Sequence, residues 1–300
     1  MPAPPTGIAI PLEPLVTRVL APNPSPFTHT GTQSHIIGVR ALAVIDPGPD
    51  DPAHLAALLR AIDGRPVSAI LVTHHHRDHS PATRALATAT GAPIVGAAPS
   101  HVSGDGPRAD AAFDPDYAPE RVLADGETVE GEGWTLRAIA TPGHSANHLA
   151  FALERSGEDG TALFSGDHVM GWSTSVVSPP DGSMTAYMAS LEKLLARDDR
   201  VYYPGHGDQV DNPRRWVRGL LGHRKQREGQ IMRLLGTEAL TVTAITKRMY
   251  VGLDPRLLLA AERSVLAHLL DLQARELVWG EATREGARWE STDAAPATAE

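Results

Sequence analysis

The segment Thr73-His74-His75-His76-Arg77-Asp78-His79 closes an apolar run at 67–73 that reads as a buried strand. Alternate residues of a strand share a face, so His74 and His76 point one way and His75 the other. The chain then turns and presents Asp78 and His79 close by. Two imidazoles on one side and an aspartate–histidine pair on the other suit two adjacent metal ions. Each ion needs further ligands. Glycine-flanked loops supply candidates: His144 in Thr141-Pro142-Gly143-His144-Ser145, Asp167 in Ser165-Gly166-Asp167-His168, and His206 in Pro204-Gly205-His206-Gly207. All four clusters follow apolar strand-like runs (67–73, 134–140, 161–164, 200–203), and loops at strand ends are where sites are built. Thr73 is read only as the lead into the site.

Working outward, further strand-like runs lie at 15–20, 36–39, 41–45, 93–96 and 149–153. Helical spacing marks 51–62, 82–90 and 183–196. Asp46-Pro47-Gly48 reads as a turn. Residues 97–120, rich in Pro, Gly and Asp, form a long surface excursion, either a lid or a mobile loop. Beyond 213 the pattern becomes helical: a basic helix to 235, then 243–250, then 255–272 with Leu258, Ala261, Val265, Leu269 and Leu272 in one stripe. A hairpin through Gly286 follows, which is the winged-helix order.

Composition narrows the chemistry. The chain has no cysteine, so any metal is held by nitrogen and oxygen, and that donor set fits zinc best, with manganese or iron as alternatives. No apolar stretch approaches a membrane span. Residues 1–15 lack a basic residue and a continuous apolar run, so no secretory signal is expected and the cytoplasm is the expected compartment. The net charge of −9 disfavours a general polyanion binder, but it is uneven: 214–233 holds seven basic residues against Glu228 alone, a local +6, leaving −15 elsewhere. That run is either a solvated helix face or an electropositive rim for an anionic substrate.

The pattern His-x-His-x-Asp-His at 74–79, with His144, Asp167 and His206 following in order, resembles the metallo-β-lactamase superfamily over residues 30–206. The resemblance implies an α/β fold, a four-layer αββα sandwich. It implies that His74, His76 and His144 hold one metal, that Asp78, His79 and His206 hold the second, and that Asp167 bridges them. A hydroxide between the metals would be the nucleophile, and Asp78 would orient the water or protonate the leaving group, making Asp78 and Asp167 the catalytic carboxylates. Ser80-Pro81 departs from the family's usual Ser-Gly-Gly and changes the turn after His79.

The run 223–228, the stretch 261–269, Thr30-Gly31-Thr32-Gln33 and 187–191 are similar to the β-lactamase-like protein 2 branch, which implies a small C-terminal winged-helix-like domain. The expected organisation is then a flexible tail at 1–14, a metallo-β-lactamase domain at 15–213, a basic helix with the winged-helix-like domain at 214–290, and a disordered tail at 291–300. The branch includes a single-strand endoribonuclease, which favours RNA as substrate with Arg224, Lys225 and Arg227 binding it. The alternative is a small-molecule carbonyl hydrolase acting on a thioester, lactone or ester. A non-enzymatic nucleic-acid-binding winged-helix protein is a third reading, disfavoured because Arg256, Arg263 and Arg275 are balanced by Glu262, Asp271 and Glu276. The expected partners are therefore RNA or a small ester or thioester, with no membrane and a homo-oligomer allowed. His29, His35, His54, His101, His223 and His268 are read as structural or surface histidines, and His168 as packing.

Overall fold

Strands that are apolar on both faces need cover on both sides, and alternation along each strand sorts the side chains between the two. The computed structural model describes residues 4–99, 113–154, 160–281 and 286–293. The first sheet runs in the order β1 (Ala9–Glu13), β2 (Val16–Leu20), β3 (Gln33–Ile37), β4 (Leu42–Ile45), β5 (Val67–Val72), β6 (Ile94–Gly96), β7 (Arg121–Val122). It is antiparallel up to β4 and parallel beyond. The second sheet comprises β8 (Thr128–Gly131), β9 (Trp134–Ala140), β10 (Leu149–Glu154), β11 (Thr161–Gly166) and β12 (Asp199–Pro204), antiparallel except for the β11–β12 pair.

Ala43, Ile45 and Leu71 of the first sheet pack against Phe151, Leu153 and Phe164 of the second. The alternate residues Val44 and Ile70 face outward onto Leu58 and Ile62 of α1 (Pro52–Ile62) and Leu86 of α2 (Thr83–Thr90). On the other side Ala150 and Ala152 face Tyr187 and Leu191 of α3 (Met184–Leu195) and Val217 and Leu220 of α4 (Pro213–Leu235). The layers are helix, sheet, sheet, helix, as the resemblance implies.

Helix α4 reaches past this sandwich. Its first half packs on the second sheet, while Ile231 and Leu235 join a separate core with Ile245 of α5 (Val242–Met249), Val265 and Leu269 of α6 (Leu258–Ala274), and Trp289. A small sheet of β13 (Leu240–Thr241), β15 (Arg288–Ser291) and β14 (Val278–Trp279) completes this winged-helix-like unit.

Two bounds need correction and one strand was not expected: Ser291, placed in the expected disordered tail at 291–300, closes β15, where it pairs with Val278. Ala9–Glu13 lie within the expected flexible tail, yet they form β1, because pairing with β2 satisfies their backbone and extends the sheet. Strand β8, only four residues long and with Val129 as its one apolar side chain, is set by pairing with β9 rather than by its own pattern. The part of the 97–120 excursion at 100–112, and the tail at 294–300, lie outside the described residues. Among the described residues no helix is long and apolar enough to cross a membrane.

Phe151 is fully buried at the centre of the inter-sheet core. Phe151→Ala is expected to lower the unfolding free energy by about 3–5 kcal/mol. Val251→Ala, at a position 90% exposed, should stay within about 0.5 kcal/mol. Urea denaturation compares them, and coincident midpoints would contradict the assignment of Phe151 to the core.

Candidate metal centre

Strands β5, β9, β11 and β12 all end at one rim of the sandwich, and the loops that follow carry the polar clusters. Backbone hydrogen bonds tie the two sheets together there: Leu149 N donates to Thr73 O (2.8 Å) and Gln33 N to Gly205 O (2.8 Å). Two glycines let the loops approach. At Gly143, φ is +143° and a Cβ would lie 2.3 Å from Tyr187 Cα. At Gly205 a Cβ would lie 2.6 Å from Asp167 Oδ1 and 2.7 Å from the His79 ring. After His76 the turn closes through His79 N to His76 O (2.9 Å) and Ser80 N to His76 O (3.1 Å). Ser80-Pro81 therefore keeps a tight turn here, and Ser80 Oγ also donates to Asp114 Oδ2 (2.8 Å).

Two groups of ligand-type atoms gather at this rim: His74, His76 and His144 in one, and Asp78, His79, Asp167 and His206 in the other. Within each, the atoms lie within 4.8 Å of one another. Asp167 reaches toward both, with Oδ1 3.3 Å from His79 Nε2 and from His206 Nε2, and Oδ2 3.7 Å from His144 Nε2. Asp78 Oδ2 lies 3.1 Å from His206 Nε2. All seven residues that the sequence reading picks for the metals converge.

Outer hydrogen bonds set which nitrogen of each ring faces inward. Thr73 Oγ1 donates to Asp46 Oδ2 (2.7 Å), so it accepts from His74 Nδ1 (2.9 Å). His79 Nδ1 donates to Asp46 Oδ2 (2.9 Å), His144 Nδ1 to Val176 O (2.7 Å), and His206 Nδ1 to Gly31 O (3.2 Å). With its outer nitrogen committed in this way, each of these four rings turns its Nε2 toward the cluster, where it carries a lone pair whenever the ring is neutral. His76 Nδ1 lies 3.0 Å from His74 Nε2 and 3.1 Å from His144 Nε2, and its buried Nε2 has no partner. Buried Asp78 Oδ1 and Asp167 Oδ1 also lack partners. Converging imidazole nitrogens and carboxylate oxygens are a donor set for cations, and the residues fit two divalent metals.

The electrostatics follow. Burial, reinforced by the neighbouring imidazoles, holds His74 and His76 well below the ordinary histidine range. Burial also disfavours a charged His206, but Asp167 and Asp78 outweigh it and push that imidazole up to about 10. His79 rises in the same way against its burial, drawn by Asp78, Asp167 and Asp46. Burial likewise opposes ionisation of the two carboxylates, and the facing imidazoles override it to hold both low. The second group therefore binds positive charge tightly, as protons or as a metal.

Other sequence expectations fare differently. His75 points away, bonded to Asn147 Nδ2 (2.8 Å) and stacked on Phe113. His168 packs on Tyr187 with both ring nitrogens unpartnered, its pKa lowered by burial to about 3. Arg224 and Arg227 line a cavity beside the centre, whereas Lys225 is exposed and does not line it. The helical periodicity of α4 puts Lys225 on another face, which corrects its grouping with the two arginines. His223, read as structural or surface, also lines the cavity. His35, His54 and His268 are buried, His29 stacks on Trp172, and His101 lies outside the described residues.

Three contributors escape the sequence reading. Asp46, taken as a turn residue, holds Thr73 and His79 together. Thr73, taken as a lead-in, orients His74. His148 accepts from Asp167 N (3.1 Å) through Nε2 and bonds Thr141 Oγ1 (2.8 Å) through Nδ1, so it positions the Asp167 backbone. The signal for His148 is Thr141 and His148 bracketing the Gly143-His144 loop.

A family model described as the Metallo-beta-lactamase superfamily matches residues 30–206, and one described as the Beta-lactamase associated winged helix domain matches residues 241–289. The Beta-lactamase-like protein 2 homolog of Drosophila melanogaster is 31% identical, over 86% of this chain and 87% of its own. An Atrochrysone carboxyl ACP thioesterase of Passalora fulva is 30% identical, over 80% of this chain and 69% of its own. The crystal structure of a Beta-lactamase domain protein from Burkholderia ambifaria superposes with a TM-score of 0.79 at 22% identity, over 96% of this chain and 94% of that one. At that identity the likeness is one of fold.

Protein purified without chelator is expected to carry close to two transition-metal ions per chain by elemental analysis, given two ligand groups. Asp167→Ala should lower occupancy at both sites. Asp46→Ala, which leaves every ligand in place, should weaken metal binding by about 10- to 100-fold. Full occupancy in Asp167→Ala would exclude the shared carboxylate.

Proposed function

Because the chain belongs to the metallo-beta-lactamase superfamily, whose members are hydrolases, we propose that it hydrolyses a small acyl thioester or ester in the cavity beside its metal centre. His74, His76 and His144 would hold one cation, Asp78, His79 and His206 the other, and Asp167 would serve both. Two divalent ions held there, zinc by the nitrogen and oxygen donors, would supply Lewis acidity and lower the pKa of water to about 7. Asp78 borders the cavity, and its Oδ1 has no partner in the chain, so it would accept a hydrogen bond from a water bound there. His74, His79, His144 and His206 keep their inward nitrogens proton-free through their outer hydrogen bonds. Thr73 and Asp46 maintain that arrangement for two of them.

The observation that carries the reading is the cavity itself, about 350 Å³. Its wall opposite the metal ligands comes from Leu253, Leu257, Ala260 and Ala261, and Phe27 and Trp172 close its side. A mainly apolar cleft of this size suits an acyl group. The thioesterase names among the relatives support the same chemistry. Single-stranded RNA fits less well: Arg214, Arg215, Arg218 and Lys225 are exposed and none of them lines the cavity.

Metal-loaded protein assayed in parallel on an acyl N-acetylcysteamine thioester, a lactone, a chromogenic β-lactam and labelled single-stranded RNA should turn over the thioester with the highest kcat/KM. RNA cleavage without thioester turnover would overturn the reading. It would overturn it more firmly if RNA binding showed a salt slope of about −0.7 per phosphate contact that flattened on replacing Arg214, Arg215 and Arg218 with Gln.

A further inference from the structure

One part of the cavity wall is basic and has no counter-ion. His223, Arg224 and Arg227 stand on one face of α4, spaced so that the side chains meet. Arg224 is only 3% exposed. Its Nη2 donates to Ser175 O, its guanidinium lies 5.0 Å from the centre of the Tyr187 ring, and its buried Nε has no partner. Arg227 lies 4.7 Å from the centre of the Tyr250 ring, with Nε donating to His223 Nε2 (3.2 Å) and Nη1 to Gln230 Oε1 (2.9 Å). Among the described residues neither arginine forms an ion pair, and Glu228, the nearest acid in sequence, bonds Arg275 instead (2.8 Å).

Burial, together with Arg224 and Arg227, pushes His223 down to about 4, so the ring is neutral at pH 7. Since its Nε2 accepts from Arg227, its proton sits on Nδ1, which is buried and unpartnered. Two guanidinium charges therefore border one cavity with neutral acceptors but, among the described residues, no carboxylate beside them, and two buried N–H groups of the same cluster stay unpartnered. A buried cation without a partner is costly, and a planar guanidinium edge matches a carboxylate.

The position relative to the metal centre is also set. The segment between β11 and α3 touches all three parties: Val176 O accepts from His144 Nδ1 (2.7 Å), Ser175 Oγ donates to Asp167 O (2.5 Å), and Ser175 O accepts from Arg224.

Resting on the thioester or ester reading above, we propose that Arg224, Arg227 and His223 form a carboxylate subsite, so that the substrate is an acyl thioester or ester bearing a free carboxylate away from the scissile carbonyl. The apolar wall takes the chain between the two ends. Arg224 and Arg227 are specificity-determining residues that bind the substrate without touching the reacting atoms.

The test uses glutaryl-N-acetylcysteamine thioester and its neutral methyl ester. The wild type should prefer the free carboxylate in kcat/KM by about 10- to 100-fold, the worth of a charge-assisted hydrogen bond, mostly through KM. Arg227→Gln and Arg224→Lys should reduce that preference, with metal content unchanged. Calorimetric titration of glutarate into the metal-loaded protein reads the subsite by binding alone, and the same two variants should weaken that binding. Equal use of both thioesters by the wild type, or a preference that survives both variants, overturns the subsite while the thioester reading stands. Glutarate binding that depends on the arginines, with no thioester turnover, upholds the subsite and removes the thioester reading.

Discussion

The structure depends on a set of buried acceptors that cannot coexist alone. The outer nitrogens of His74, His79, His144 and His206 are each committed to an oxygen, so the inner nitrogens carry lone pairs. Asp78 and Asp167 add carboxylate oxygens among them. Placing these groups within a few ångströms of one another in a desolvated site is unfavourable unless positive charge sits between them. Folding of the two sheets creates this conflict, and cation binding relieves it. Metal binding and the stability of this rim are therefore one equilibrium.

The scaffold holds that conflict in place by joining the sheets where it occurs. Backbone bonds from β10 to Thr73 and from β3 to Gly205 lock the two layers at the rim. Asp46, at the end of β4, ties the Thr73 backbone, the Thr73 hydroxyl and His79 together. His148 does the same for the loop of Asp167. These side chains touch no proposed ion, yet they decide which ring nitrogen faces inward and where the shared carboxylate stands. The ligand geometry therefore rests on residues whose side chains bind nothing directly.

Helix α4 adds a second wall beside the candidate metal centre. Because it belongs to both cores, it carries the winged-helix-like unit to the mouth of the sandwich and closes a cavity over the ligands. One face of the helix supplies two arginines without acidic partners, while Arg214, Arg215 and Arg218 look to solvent. A linear count of basic residues treats all of these alike. Their chemistry differs because a buried guanidinium demands an anion and an exposed one is satisfied by water.

The candidate metal ligands were legible in the sequence by themselves. His74, His76, Asp78, His79, His144, Asp167 and His206 each follow an apolar run and are flanked by residues that permit tight turns, so local pattern and chemistry point to one site. The same holds for most strands and helices, whose apolar periods are local properties of the chain. Strand β1 and strand β8 were not legible, because pairing partners rather than their own residues make them strands. Nor could the sequence distinguish Lys225 from Arg224, or reveal the roles of Asp46, Thr73 and His148. Those depend on which groups from distant segments meet at hydrogen-bonding distance, and only the packing of the two sheets and α4 decides that.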